Sequence, residues 1–113
     1  MVMPMPTNPG SPAGALDPLI AKLWRAFNEQ LVAAGGYTLT LPCEEYVRQF
    51  ITEGAKALIQ MHAENYQVMQ AEENIRDLAR QMLAEASSAK TKILSETIFF
   101  KVKGYICPLW PFC

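Results

Sequence analysis

The sequence predicts a mainly α-helical fold, a small helical bundle or helical hairpin organised around one long amphipathic helix. Apolar residues recur every three or four positions from Leu19 to Val32, which is the spacing of one face of an α-helix. A seven-residue apolar frame then runs through residues 44–97. Only two short windows, 37–41 and 99–103, alternate as strands do, so any sheet is expected to be small.

Composition limits the fold to one small domain. The chain has 113 residues, 50% of them hydrophobic. A domain of this length hides only roughly 60–70% of the surface that its unfolded chain exposes. Its net charge of −1 argues against a protein held to nucleic acid by bulk electrostatics. Residues 44–85 carry eight acids and four bases, whereas residues 86–113 carry four lysines and one acid, which indicates either two solvated faces of opposite charge or a head-to-tail contact.

The N-terminal segment 1–14 is expected to be an extended proline-rich arm ahead of a single helical domain at 15–113. It contains four prolines and no lysine or arginine, so it lacks the charged start of a signal peptide. The first helix is predicted to span 18–34. Asp17 is a suitable N-cap, Pro18 suits the first helical position, and Gly35 with Gly36 supplies a left-handed stop.

The long amphipathic stretch follows Pro42, and its apolar frame weakens at Asn65 and again at Glu72–Asn74. We expect a kink or break near 65–74, which would give two helices of about 44–70 and 74–97. A single helix over the whole stretch stays open as an alternative. At 1.5 Å per residue it would be roughly 80 Å long and could not bury its apolar stripe without a partner.

Two strand candidates and an aromatic tail complete the chain. The windows 37–41 and 99–103 could pair into a two-stranded sheet, which would need the helices as support. The tail, residues 107–113, carries Leu109, Trp110 and Phe112 among two prolines. So large an apolar load is expected to dock either on the chain's own core or on another chain.

The residues that usually carry chemistry do not converge. His62, the only histidine, has no carboxylate or second histidine one helical turn away. Cys43, Cys107 and Cys113 lack the short spacing of zinc-ligand pairs. No glycine-rich phosphate loop or nucleophile elbow is present. We therefore expect no enzymatic activity, no catalytic or metal-binding residues and no cofactor.

The apolar frame instead favours a non-enzymatic interaction or structural protein. We expect it to self-associate, or to dock as a subunit of a larger assembly such as a viral or phage particle. The partner would be protein, with a homo-oligomer favoured over nucleic acid. The predicted interface residues lie on the frame and the tail: Val47, Ile51, Leu58, Met61, Val68, Ile75, Met82, Ile93, Trp110 and Phe112.

The cysteine count and the hydropathy pattern predict the cellular compartment of the protein. Three cysteines are too few for a disulfide-rich secreted scaffold, so a reducing cytoplasm is expected, and for a viral protein the host cytoplasm or the virion. No uncharged apolar run approaches the ~18–20 residues of a membrane span.

Two alternatives stay open. The segment Tyr37–Leu41, followed by Pro42 and a helix, resembles the opening of ribbon–helix–helix DNA-binding domains. The resemblance implies a small regulator whose strand pairs across a dimer and directs Thr38 and Thr40 into the major groove. The segment carries no lysine or arginine, which argues against this alternative. The other alternative is a small inhibitor that blocks a partner with its helical face.

Overall fold

Two helix–strand–helix segments follow each other in a computed structural model that describes residues 12–90, 92–106 and 110. The described part is mainly helical, as predicted. Its elements follow in the order α1 (Pro12–Ala33), β1 (Thr38–Leu39), α2 (Leu41–Gln60), α3 (Asn65–Ser88), β2 (Ile93–Leu94) and α4 (Glu96–Ile106).

The chain consists of two helix–strand–helix units with equal connections. Around each strand, the element boundaries in the second unit lie 55 residues after those in the first: Ala33 and Ser88, Thr38 and Ile93, Leu41 and Glu96. The strands pair in parallel, Thr38 with Ile93 and Leu39 with Leu94, so equivalent residues lie side by side. Among the described residues, six pairs of buried residues have the same offset: Leu23 and Leu78, Phe27 and Met82, Leu31 and Ala86, Val47 and Val102, Ile51 and Ile106, and Ala55 and Trp110.

The hydrophobic core lies within and between these units. Helix α1 packs against α2 and α3, and α4 packs against the same two helices, whereas α2 and α3 touch each other little. Phe27, Phe99 and Leu94 are among the largest fully buried side chains, and they come from both units. Because each unit hides part of its apolar surface against the other, the units stabilise each other.

Helix α1 begins earlier than predicted. It starts at Pro12 instead of residue 18, so residues 12–14 of the predicted arm belong to the helix, and Asp17 lies inside it rather than at an N-cap. Pro18 lies in the second turn of α1, where a proline removes one backbone hydrogen bond and crowds the carbonyl four residues before it. The rest of the predicted arm, residues 1–11, lies outside the described residues.

The break in the amphipathic stretch is confirmed, but it lies at Met61–Glu64 rather than near 65–74. The helices therefore span 41–60 and 65–88 instead of 44–70 and 74–97. Asn74, which weakens the apolar frame in the sequence, is buried inside α3, where its side chain accepts a hydrogen bond from Gln70 at 2.9 Å. A buried polar residue with a partner does not end a helix.

The position of this break follows from how the helices end. Helix α1 ends at Ala33, and Gly35, the predicted left-handed stop, follows it with a φ of 111°. Helix α2 ends at Gln60 and is followed by His62, whose φ of 51° is also left-handed, and the next amide, that of Ala63, donates to the Leu58 carbonyl at 2.9 Å. This is the same hydrogen-bonded stop. Since α2 stops without a glycine, the sequence gives no clear sign of its end.

The predicted strand at 99–103 is wrong, because these residues belong to helix α4. The second strand is Ile93–Leu94, and the first is Thr38–Leu39 rather than 37–41. Phe99, Val102 and Ile106 are buried on one side of α4, at the three- and four-residue spacing of a helix. A five-residue window is too short to separate this spacing from alternation.

Candidate functional site

The structure places most of the predicted interface residues inside the chain's own core. Six of them are buried: Val47, Ile51, Leu58, Ile75, Met82 and Trp110. Val68 is half-buried, Met61 and Ile93 are exposed, and Phe112 lies outside the described residues. Helices α1 and α4 supply the second surface that the amphipathic stretch needs. A contact with another chain would therefore have to use other side chains.

Trp110 is the residue of the predicted tail that the structure describes, and its side chain packs on helix α2 of the same chain. Its indole stacks on the Phe50 ring, with 5.1 Å between centroids and 15° between the planes. Gly54, one turn further along α2, leaves room for the indole, because a Cβ at this position would overlap it. Cys107, Leu109, Phe112 and Cys113 lie outside the described residues.

An aromatic groove lies between α2 and α4, beside the contact of Trp110 with Phe50. The residues that line it are Tyr46, Gln49, Phe50 and Glu53 of α2, and Phe99, Phe100 and Lys103 of α4. The four α2 positions have the i, i+3, i+4, i+7 spacing of one helix face. The groove encloses about 160 Å³. An apolar cavity of about 150 Å³ holds one benzene molecule, so the groove has room for one aromatic ring.

The floor of the aromatic groove is buried and its rim is exposed. Phe50 and Phe99 are buried and meet edge to face at 5.7 Å. Tyr46 and Phe100 form the rim, exposed by 42% and 48%, and meet edge to face at 4.8 Å. Half-exposed aromatic side chains that rest on buried ones are typical of sites where proteins bind each other.

The two walls of the groove differ in charge. On α4, the Lys103 Nζ lies 5.7 Å from the centroid of the Phe99 ring and 5.3 Å from that of Phe100, which is cation–π geometry. On α2, Glu53 forms an exposed ion pair with Lys56 of its own helix at 3.6 Å. Exposed pairs of this kind contribute little, so the Glu53 carboxylate is available to another cation.

Cys43, the cysteine that falls within the described ranges, carries a buried thiol. It lies in the first turn of α2. Burial, with a smaller contribution from the negative charge of Glu96, raises the pKa of the Cys43 thiol to about 12. The thiol is therefore protonated at neutral pH, which is the opposite of what a catalytic nucleophile or a metal ligand requires.

Other charged side chains form surface networks. Arg80 of α3 bonds to Glu73 at 2.8 Å and to Asp77, and its hydrogen bond lowers the pKa of the Glu73 carboxyl. Within the described ranges, no group of three or more histidine, cysteine, aspartate or glutamate side chains could hold a metal ion.

The strand that suggests DNA binding in the sequence has a different role in the structure. β1 pairs with β2 of the same chain, and the pairing is parallel. The Thr40 hydroxyl accepts a hydrogen bond from the Cys43 amide at 3.2 Å and so caps α2. Pairing within the chain replaces the pairing across a dimer that the ribbon–helix–helix alternative needs.

No helix in the described part of the chain is long and apolar enough to cross a membrane. Comparison of the chain with protein-family models, with curated proteins and with solved structures finds no match. Any functional conclusion therefore depends on the geometry of the groove itself.

The two rim residues are not among those that the sequence predicts as an interface. Tyr46 lies beside the apolar frame of α2, and Phe100 falls in the window 99–103, whose alternation predicts a strand. The available signal is the helical spacing of Phe99, Val102 and Ile106, which places Phe100 beside that buried face. That α2 and α4 lie side by side cannot be known without the fold.

Proposed function

We propose that this protein is a non-enzymatic interaction subunit that docks on another polypeptide through the aromatic groove between α2 and α4. The observation that carries the proposal is the half-exposed pair of Tyr46 and Phe100 above a buried aromatic floor. An apolar side chain of the partner would fill the groove and displace water from the rim. Buried aromatic anchors of this kind supply most of the binding energy in protein interfaces.

The rigidity of the groove supports docking. Phe50 is held between Phe99 on one side and Trp110 on the other, at centroid distances of 5.7 and 5.1 Å. Tyr46 also stacks on Phe99 at 6.3 Å. Because these rings are already fixed by packing, a partner would bind without having to order them, which favours affinity. The same surface would serve an assembly subunit or an inhibitor that blocks its partner.

Selection from a displayed peptide library tests this proposal even though the natural partner is unidentified. We expect the selected peptides to carry an aromatic or large aliphatic anchor. Replacing both rim residues, Tyr46→Ser with Phe100→Ser, should weaken their binding at least about thirtyfold, the equivalent of a 2 kcal/mol hot spot. Isothermal titration would measure the dissociation constants.

The matched control is Tyr66→Ser, since Tyr66 is an exposed tyrosine on α3, 67% accessible, and does not line the groove. This control should leave peptide binding unchanged. Circular dichroism and thermal melting would establish that the variants stay folded. Peptides that bind the doubly substituted protein as tightly as the wild type would contradict the proposal.

A further inference from the structure

One copy of this chain carries two aromatic rims that can pack against each other. Two half-exposed rings, Tyr46 on α2 and Phe100 on α4, border the groove on opposite sides. A partner that offers two exposed rings across a groove of the same width would cover this surface. A second copy of the chain necessarily has both features.

The charges of the walls are also complementary to each other. Lys103 stands on the α4 wall, and Glu53 stands on the α2 wall. A two-fold axis along the groove would set the α4 wall of one copy against the α2 wall of the other. Each Lys103 would then face an acidic wall, twice in the same interface, as an isologous contact requires.

We propose that the occupant of the groove is a second copy of this chain, bound face to face about a two-fold axis that runs along the groove. This inference rests on the proposed function and names the partner in it. The Tyr46 rim of each copy packs on the Phe100 rim of the other, so that the two grooves close over each other, and the two pairs of Lys103 with the opposite Glu53 fix the register.

A peptide of uniform charge is a poorer match. An acidic peptide would pair with Lys103 but meet Glu53, and a basic one would have the reverse problem. Like charges placed opposite each other in an interface cost free energy, so only a partner with separated charges satisfies both walls. A second copy satisfies them because its own walls are separated in the same way.

Sedimentation equilibrium of the full chain over a range of concentrations tests this inference. We expect a monomer–dimer equilibrium. Lys103→Glu and Glu53→Lys should each weaken dimerisation at least about fivefold, because each places like charges opposite each other. The combined variant, with both substitutions, should return the dissociation constant to within about twofold of the wild type, because the charges are exchanged rather than lost.

Two substitutions on α1 serve as charge-matched controls. Lys22→Glu and Glu29→Lys change the net charge by the same amounts at exposed positions that do not line the groove. They should leave the dissociation constant unchanged. Equal weakening by these controls, or failure of the combined variant to restore the dimer, overturns the inference.

Mass and peptide binding together separate this inference from the proposed function. A protein that stays monomeric at all concentrations, yet binds selected peptides through Tyr46 and Phe100, overturns the second copy as occupant and leaves the groove as a docking site. A dimer that persists in the variant carrying both Tyr46→Ser and Phe100→Ser places self-association on another face and also overturns the inference. Dissociation of the dimer by a groove-binding peptide supports both.

Discussion

Gly54 and Gly104 lie inside two helices but have opposite surroundings. A Cβ on Gly54 would overlap the Trp110 indole, whereas a Cβ on Gly104 would meet nothing within 4 Å. A helical glycine is normally less favourable than alanine, because it loses more conformational freedom on folding. At Gly104 no packing contact offsets this loss. At Gly54 the loss is offset, because the absence of a Cβ lets the Trp110 indole pack against the helix.

We expect Gly104→Ala to raise the free energy of unfolding by about 0.5–1 kcal/mol. Gly54→Ala should lower it by about 1–3 kcal/mol, because the methyl group displaces the Trp110 indole. Urea denaturation would measure both. In a Trp110→Ala background, Gly54→Ala should become stabilising. An equal loss with and without the indole would show that Trp110 does not rest on Gly54.

The Cys43 thiol makes stability depend on alkaline pH. Burial holds the pKa of Cys43 at about 12 in the folded chain, against an ordinary value of 9.0. Between these values the unfolded chain loses a proton that the folded chain keeps, so stability falls as pH rises from about 9 towards 12. We expect Cys43→Ala to flatten this part of the stability–pH curve.

Thiol reactivity gives an independent measure of the same group. In a protein with Cys107→Ser and Cys113→Ser, Cys43 should not react with a disulfide reagent at pH 8 until the protein is unfolded, because the side chain is both inaccessible and protonated. Rapid labelling of the native protein would show that the thiol is reachable and contradict the assignment.

Among the elements, α2 and α4 begin with the same device. The Thr40 hydroxyl accepts from the Cys43 amide at 3.2 Å, and the Ser95 hydroxyl, at the equivalent position, accepts from the Ile98 amide at 3.5 Å. Both residues directly follow a strand, so each cap fixes the direction in which its helix leaves the sheet. The cap on α2 has the shorter hydrogen bond and is expected to contribute more.

We expect Thr40→Ala to lower the free energy of unfolding by about 1 kcal/mol, and Thr40→Ser to keep most of it, because serine also caps helices well. Thr52→Ala is the control. The Thr52 hydroxyl bonds back to the Arg48 carbonyl inside α2, so its loss should change stability by less than about 0.5 kcal/mol. Equal losses in the alanine and serine variants at residue 40 would exclude capping as the cause.

Much of the helical structure is predictable, because its signals are local. The stop at Gly35 and the division of residues 41–88 into two helices follow from glycine chemistry and apolar spacing. The strands have only two residues each, which is too short for any periodicity, and they pair across 55 positions. The end of α2 at His62 is not predictable either, since the left-handed residue there is not a glycine.

The candidate site is less predictable than the fold. Its floor residue Phe50 belongs to the apolar frame, but Phe99, its partner across the groove, begins a window whose alternation predicts a strand. A groove exists only where two helices meet, and no pattern in the sequence indicates that α2 lies beside α4. The residues predicted as an interface are instead the most apolar ones, and these are the residues that a chain buries first in its own core.

At the scale of the whole molecule, each helix–strand–helix unit is completed by the other. The strands pair between the units, and α1 with α3 and α2 with α4 pack across the boundary. Contacts between α2 and α3, the two helices joined by the Met61–Glu64 turn, are few. The covalent link between the units therefore contributes little to the packing that holds them together.

Because α2 and α3 contact each other little, a change at the Met61–Glu64 turn that joins them could let two copies exchange their units. If the turn straightens, the first unit of one molecule can pack on the second unit of another and keep the native strand pairing and the contacts of α1 with α3 and of α2 with α4, a domain exchange. We expect deletion of residues 61–64 to enforce it, because α2 would run into α3 as one rod of about 66 Å. In the Tyr46→Ser, Phe100→Ser background, which removes the groove contact between copies, light scattering should give twice the monomer mass, unchanged on dilution.

Inserting Gly-Ser-Gly after His62 is the opposite change. It should disfavour domain exchange, since a longer, more flexible turn easily lets the two units of one chain pack on each other. A folded monomer after the deletion would show that the turn can be remade elsewhere. With the deletion, the long continuous helix that the sequence leaves open as an alternative would become the actual structure, shared between two chains.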